Sequence, residues 1–381
     1  MMGQMSFFDG TQQFVNDKPI RLIQMFAGYG SQLLAFKYLG VQVEDYKISE
    51  WAIKSIQAYK DLHSTSNDTD YSQGISLDKI RSWFYGGRIS RDYNKPMTDK
   101  EIDKIPEKQI RAIYNNMKAT NNYGSVMLIK GSDLEINDTD KYCYVMTYSY
   151  PCQDVSNAGK QAGMAKGSGT RSALLWEIER LLKELKETDS LPQVLLLENV
   201  TQVHGEANKQ DFYAWCNELE ELGYHNYWQD LNAKDYGIPQ NRNRCFMVSL
   251  LGDYYYSFPK SQELTVRLKD FLDKRVDEKY YLKDKTVEKF IEQCKFTEST
   301  TAYANYKRVD KVDTEVAKTL CARDYKGLGI GFDTMNVVVE KTDGVMLGTS
   351  EQFNAGLCAE MSRSITTEGK NGVVEWKSDT K

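Results

Sequence analysis

From Ile20 to about Leu251, short apolar runs alternate with helix-period segments, and this rhythm constrains the fold more than any other feature of the chain. Short runs buried on both faces and separated by amphipathic helices are the pattern of a parallel sheet covered on each side, so an α/β domain is expected. The runs that read as strands are 20–26, 46–49, 145–148, 194–197 and 244–250. The clearest helix follows Thr170. Leu174, Leu175, Ile178, Leu181, Leu182 and Leu185 fall on one face, with Glu177, Glu179, Arg180 and Lys183 outside, and Thr170 or Ser172 is placed to cap its start. A polar, basic and aromatic stretch between about Asp70 and Thr120, including Arg81, Trp83, Arg88 and Lys95, interrupts the alternation and reads as an insertion. It is either a solvated cap or a surface that touches nucleic acid.

The texture changes after Leu251, first to a lysine-rich segment that reads as helix, 269–294, and then to short runs of threonine, valine and glycine. A second unit is expected there, with the boundary near residue 255. Val316-Ala317-Lys318-Thr319-Leu320 leading to Val337-Val338-Val339 is weakly echoed by Met361-Ser362-Arg363-Ser364-Ile365 leading to Gly372-Val373-Val374, as a β-repeat or by chance.

Composition excludes several classes. No apolar run approaches the roughly 18 residues a bilayer helix needs, and 1–14 lack the basic end and apolar centre of a secretory signal, so the expected location is the cytoplasm. Seven scattered cysteines without a Cys-x-x-Cys pair, and only three histidines, argue for reduced thiols and for no metal. A net charge of −5 does not announce a nucleic-acid binder, although a basic cleft can sit in an acidic protein because the field that matters is local.

The chemistry-bearing residues lie at the ends of the expected strands, where a doubly wound sheet presents its ligands. Phe26-Ala27-Gly28-Tyr29-Gly30 follows the first strand and leads into a helix; its glycines allow a ligand to approach the backbone, or simply make a tight turn. Glu50-Trp51 ends the second strand with a carboxylate suited to ribose hydroxyls and an indole suited to a purine, or with a surface acid beside a core aromatic. Gly131-Ser132-Asp133 adds an acid suited to an exocyclic amine. In this order the three point to an adenosine-containing ligand. Pro151-Cys152-Gln153-Asp154 places a thiol where a strand opens into a glycine-containing loop, as a nucleophile or as an apolar filler. Glu198, in Leu197-Glu198-Asn199-Val200, follows an apolar strand where burial would favour its protonated form. In extended chain Gln240, Arg242 and Arg244 share one face, suited to an anionic or oxygen-rich partner or to surface salt bridges.

The order of these five segments resembles the cytosine-5 DNA methyltransferases, over Phe26 to Arg244, and the stretch from Tyr148 to Leu182 looks particularly like enzymes of small-genome bacteria and phages. The resemblance implies a Rossmann-like, S-adenosylmethionine-dependent α/β sheet in a catalytic domain over 1–255, and a smaller target-recognition region over 256–381. It implies that Phe26, Gly28, Gly30, Glu50, Trp51 and Asp133 hold S-adenosylmethionine, with Leu174 lining the pocket. Cys152 would be the nucleophile, Glu198 would contact ring nitrogen 3 and the exocyclic amine of cytosine, Arg244 would hold the base oxygen, and Arg242 would help order the catalytic loop. Gln153 and Ser156 would begin that loop, whose Gly159, Gly163, Gly167 and Gly169 suit a lid over DNA.

The implied reaction is methylation of cytosine carbon 5 in a specific double-stranded DNA sequence, through a covalent cysteine adduct on a flipped-out base, by a monomer serving restriction-modification or phage self-protection. The family's usual closing segments are not recognisable in the last hundred residues, which suggests a truncated product, a diverged ending, or a complementing polypeptide. Competing expectations are a transfer RNA cytosine-5 methyltransferase, an inactive DNA-binding remnant, and, at the level of fold alone, a nicotinamide-dependent oxidoreductase.

Overall fold

A computed structural model describes residues 12–155 and 163–271 together with the short segments 281–282, 316–318, 336–340, 365–366 and 371–375. The chain divides into two units, one comprising 1–231 and 244–259, the other 232–243 and 260–381. Residues 232–243, which carry Arg242, therefore group with the second unit.

The first unit is built on a six-stranded sheet of β1 (Ile20–Met25), β2 (Val43–Ser49), β3 (Cys143–Tyr148), β4 (Val194–Asn199), β5 (Tyr224–Asn232) and β6 (Asn243–Leu251), in the spatial order β2-β1-β3-β4-β6-β5. The four strands β2, β1, β3 and β4 run parallel, and β6 lies antiparallel to β4. All six residues of β3 are buried, as a central strand covered on both faces requires. The carboxyl ends of the parallel strands consequently meet along one edge, where the expected site residues lie.

Helices α1 (Ser31–Tyr38), α2 (Ile53–His63), α6 (Leu175–Glu187) and α7 (Lys209–Glu221) belong to this unit. Leu175, Ile178, Leu181, Leu182 and Leu185 of α6 pack into the main core with Met146, Leu195, Trp215 and Met247. Thr170 accepts a bond from the Ala173 amide and so caps the 3-10 turn Arg171–Leu174 that precedes α6. Glu179 departs from its expected outward position. It is 3% exposed, because residues after Gly163 fold across α6: Lys166 reaches it at 2.6 Å, Lys183 at 2.5 Å, and the Trp176 indole donates to the Met164 carbonyl. Burial works to raise the Glu179 pKa, and the two ammonium groups outweigh it, leaving the carboxyl below its ordinary range.

The 70–120 stretch carries more than a solvated face. Helices α3 (Leu77–Phe84), α4 (Asp99–Asp103) and α5 (Glu107–Ala119) enclose a core of their own, including Ile80, Phe84, Ile102, Ile110 and Met117, which reaches Ile56 of α2. Arg88 and Lys118 stack on the Trp83 ring at 4.5 and 4.4 Å.

Within the second unit, Gln240–Asn241 pairs in parallel with Ala317–Lys318, and a four-stranded sheet has the order Tyr281–Leu282, Ile365–Thr366, Asn371–Glu375, Asn336–Glu340. The echoing valine runs lie side by side in this sheet, with Val337 opposite Gly372 and Val339 opposite Val374. One continuous helix over 269–294 is ruled out, because Tyr281–Leu282 is a strand paired with Ile365–Thr366; an aromatic-aliphatic step suits a pleated surface better than a solvated helix. Among the described residues, no helix is long and apolar enough to cross a membrane.

Candidate active site

Where β1 ends, the backbone enters the left-handed region three times before α1 begins, at Phe26 (φ 58°), Gly28 (57°) and Gly30 (81°). The turn is locked to its neighbour strand. The Ala27 amide donates to the Ser49 carbonyl at 3.1 Å, and the Gly28 amide donates to Glu50 Oε2 at 2.8 Å.

The two glycines are needed for different reasons. A Cβ on Gly30 would lie 2.5 Å from His63 Nε2 and 2.6 Å from a Tyr59 ring carbon, whereas one on Gly28 would meet nothing within 4 Å. Gly30→Ala is therefore expected to destabilise the fold by about 2–4 kcal/mol, from backbone strain plus overpacking. Gly28→Ala should cost about 1–2 kcal/mol from backbone strain alone. On the expectation that the turn cradles S-adenosylmethionine, the Gly28 variant should nevertheless bind it more weakly, because its methyl group enters the open space in front of the turn. Thermal unfolding set beside cofactor titration distinguishes the two variants.

Glu50 is only 7% exposed. Its Oε1 accepts from the Ala52 amide at 2.6 Å, while its own amide donates to Asn122 Oδ1 at 3.1 Å. Burial pushes its carboxyl up to about 7, against the pull of its backbone donors. A group raised in the folded state stabilises below its unfolded pKa, and that contribution disappears as pH climbs through the folded value. Glu50 should thus remove about 3 kcal/mol of stability as pH rises from 4.5 to 7. Urea unfolding of wild type and Glu50→Gln across that window checks the sign: the variant should lose less stability, and parallel curves would reject the assignment.

Trp51 is half-buried and its carbonyl accepts from the Ser90 amide at 2.8 Å. Asp133 is half-buried in the 3-10 turn Gly131–Leu134, where Oδ2 accepts from the Lys130 amide at 2.9 Å. Phe26 and Leu174, both half-buried, pack on the main core.

Cys152 follows β3 by four residues and is half-buried. Cys143, Cys216 and Cys245 are buried, with burial pushing their thiols up, to about 11 and about 12 for the first two and further for Cys245. Among the described cysteines, Cys152 is therefore the one a reactant can reach.

Three contacts hold its loop. Asn199 Nδ2 donates to the Tyr150 carbonyl at 3.1 Å, Ser172 Oγ donates to the Pro151 carbonyl at 2.6 Å, and the buried Asp154 carboxylate takes Arg171 at 3.0 Å together with the Arg171 amide at 2.8 Å. The Arg171 guanidinium, hydrogen-bonded to it, holds the Asp154 carboxyl below its ordinary range. Arg171 is also within electrostatic reach of Cys152.

Glu198 lies inside β4, one residue beyond Leu197, which pairs with Tyr148 of β3; Glu198 and Cys152 are thus brought to the same edge by adjacent parallel strands. Its side chain is 22% exposed rather than enclosed, and Arg244 Nε approaches Oε1 at 3.3 Å from β6. Burial alternates along 240–244 as expected, with 240, 242 and 244 half-buried and 241 and 243 exposed. Arg242, in the second unit, donates its amide to Asn232 Oδ1 at 3.0 Å. Gln153 is half-buried next to Cys152, whereas Ser156 and Gly159 lie outside the described residues.

A family model for the C-5 cytosine-specific DNA methylases matches residues 94–367, well over half of the sequence. The chain belongs to that family. This methylase is 36% identical over 271 residues to the type II methyltransferase M2.ScrFI of Lactococcus lactis subsp. cremoris, covering 70% of this chain and 71% of the relative. It is 34% identical over 265 residues to the orphan methyltransferase M.SssI of Spiroplasma monobiae, covering 69% and 67%. Both family and relatives favour cytosine methylation in DNA over the transfer RNA and oxidoreductase readings.

Proposed function

We propose that this methylase modifies carbon 5 of cytosine within one specific DNA sequence through a transient cysteine adduct, as the modifying half of a restriction-modification system or as self-protection. The observation that carries the reading is the placement of the accessible Cys152 and the Glu198–Arg244 pair at one edge of the sheet.

Carbon 5 of cytosine is too weak a nucleophile to take a methyl group unaided. The Cys152 sulfur adds to carbon 6, while Glu198 delivers a proton at ring nitrogen 3 and Arg244 holds the base oxygen, so that carbon 5 acquires enamine character. After methyl transfer the carbon 5 proton leaves to water, the thiolate is expelled and ring nitrogen 3 returns its proton to Glu198, which restores the ring double bond and the free enzyme. Cytosine inside a duplex cannot reach Cys152 without leaving the stack, at a cost of a few kcal/mol.

S-adenosylmethionine supplies the methyl group when bound. The glycine turn and Glu50 fit it: Gly28 leaves room against the backbone, and the buried Glu50 carboxylate fixes the turn beside a place suited to ribose. Trp51, Asp133 and Leu174 are assigned to its adenosine end. The region 256–381 is assigned to target recognition.

Incubation with labelled S-adenosylmethionine and equal amounts of mixed-sequence DNA and transfer RNA, at one fixed salt concentration, tests the reading. Label should enter DNA, and bisulfite sequencing should place 5-methylcytosine in a single sequence context. Labelling of transfer RNA alone, or cofactor binding without product, would reject it.

A further inference from the structure

His204, Asp230 and Cys245 come from three separate elements: the 3-10 turn Thr201–His204, β5 and β6. Their donor atoms all lie within 4.8 Å of one another, and His204 Nε2 is 2.9 Å from Asp230 Oδ1. The imidazole orientation is set by packing, since its ring lies 4.7 Å from Trp228 and 5.9 Å from Phe212. Cys245 is 0% exposed, which rules it out as a nucleophile toward any macromolecule, yet its sulfur borders this polar pair. His204 and Asp230 keep side-chain exposures of 21% and 33%, leaving a path for a small ion and a water.

We propose that His204, Asp230 and Cys245 bind a borderline-soft divalent cation, zinc above all, with water completing a four-coordinate shell. One thiolate, one imidazole and one carboxylate select zinc or cobalt over magnesium or calcium, which prefer shells made of oxygen alone. Tetrahedral coordination places such donors roughly 3.3–3.7 Å apart, so the His204–Asp230 hydrogen bond opens by a few tenths of an ångström and Cys245 closes by at most about 1 Å. The imidazole releases any proton on the coordinating nitrogen, and the Cys245 thiol releases its own to solvent. The site adjoins the chemistry on both sides: the turn bearing His204 begins two residues after Asn199, and Cys245 is next to Arg244 and opposite Asn199 in the sheet. A bound cation would cross-link the flanks of the Glu198–Arg244 pair.

Titration of the full-length protein with cobalt(II), in wild type and in Cys152→Ala to remove the one accessible described thiol, provides the test. One equivalent should produce a thiolate-to-cobalt charge-transfer band in both proteins, zinc should abolish it by displacement, and Cys245→Val should eliminate it. His204→Asn and Asp230→Asn, at partly exposed positions, should each weaken binding by at least about tenfold, since even an outer-shell partner contributes that much. Zinc should also raise the thermal midpoint of wild type by more than that of His204→Asn at the same concentration. Absence of the band, its survival in a folded Cys245→Val protein, or unchanged affinity in His204→Asn and Asp230→Asn would each overturn the proposal.

Discussion

Replacing Cys152 with alanine is expected to lower methyl transfer to DNA by roughly 10⁴- to 10⁶-fold, the loss typical of removing a nucleophile from a unit whose members act together. The physical reason is that no other described thiol can take over: Cys143, Cys216 and Cys245 are buried. Folding should be little affected, because Cys152 sits half-buried at the margin of the core and its loop is also held by Asn199, Ser172 and the Asp154–Arg171 pair. Cofactor affinity should also persist, since the glycine turn and Glu50 lie on other strands. Duplex DNA with 5-fluorocytosine in the target sequence supplies a second readout. Fluorine cannot depart as the carbon 5 proton does, so wild type should accumulate a denaturant-resistant complex and Cys152→Ala should form none. Transfer surviving in the variant at more than about one part in 10³ would mean that some other group activates the ring.

The sequence revealed the frame of this site better than its bracing. Apolar strands end in chemistry-bearing residues, and the parallel pairing of β1 to β4 turns that linear order into one edge, so the sequence alone puts Gly28, Glu50, Cys152 and Glu198 at strand ends on a common edge. Residues that act through contacts distant in sequence left no such trace. Asn122 receives the Glu50 amide across 72 positions, and Asp154 finds Arg171 across 17; a buried polar group is specified by its partner, which periodicity does not reveal. Strand β5 escaped notice because it is the edge strand, where one side faces no neighbour and residues such as His225, Gln229 and Asp230 are tolerated. Glu179 looked solvent-facing because the α6 pattern is read from the helix alone, and its burial comes from the segment carrying Lys166. The grouping of His204 with Asp230 and Cys245 is invisible for the same reason, since it exists only where a turn meets two neighbouring strands of the sheet.

Glu198→Gln should lower kcat by roughly 10²- to 10⁴-fold, the range for loss of a positioned proton donor. Arg244→Lys should lower it by roughly 10²-fold, because an ammonium keeps the charge and loses the planar fork proposed to hold the base oxygen. KM for the cofactor should remain near that of wild type in both, which separates a defect in ring activation from a defect in binding. The 3.3 Å contact between Arg244 Nε and Glu198 Oε1 makes a further demand. Two groups in contact and proposed to act on one ring should not contribute independently, so the double variant should fall well short of the product of the two single losses. Stability should move by no more than about 1 kcal/mol in either single variant, since both side chains retain access to water. If each substitution instead unfolded the protein, or if the two losses multiplied, the pair would be a structural strut near the reaction rather than a unit that activates cytosine.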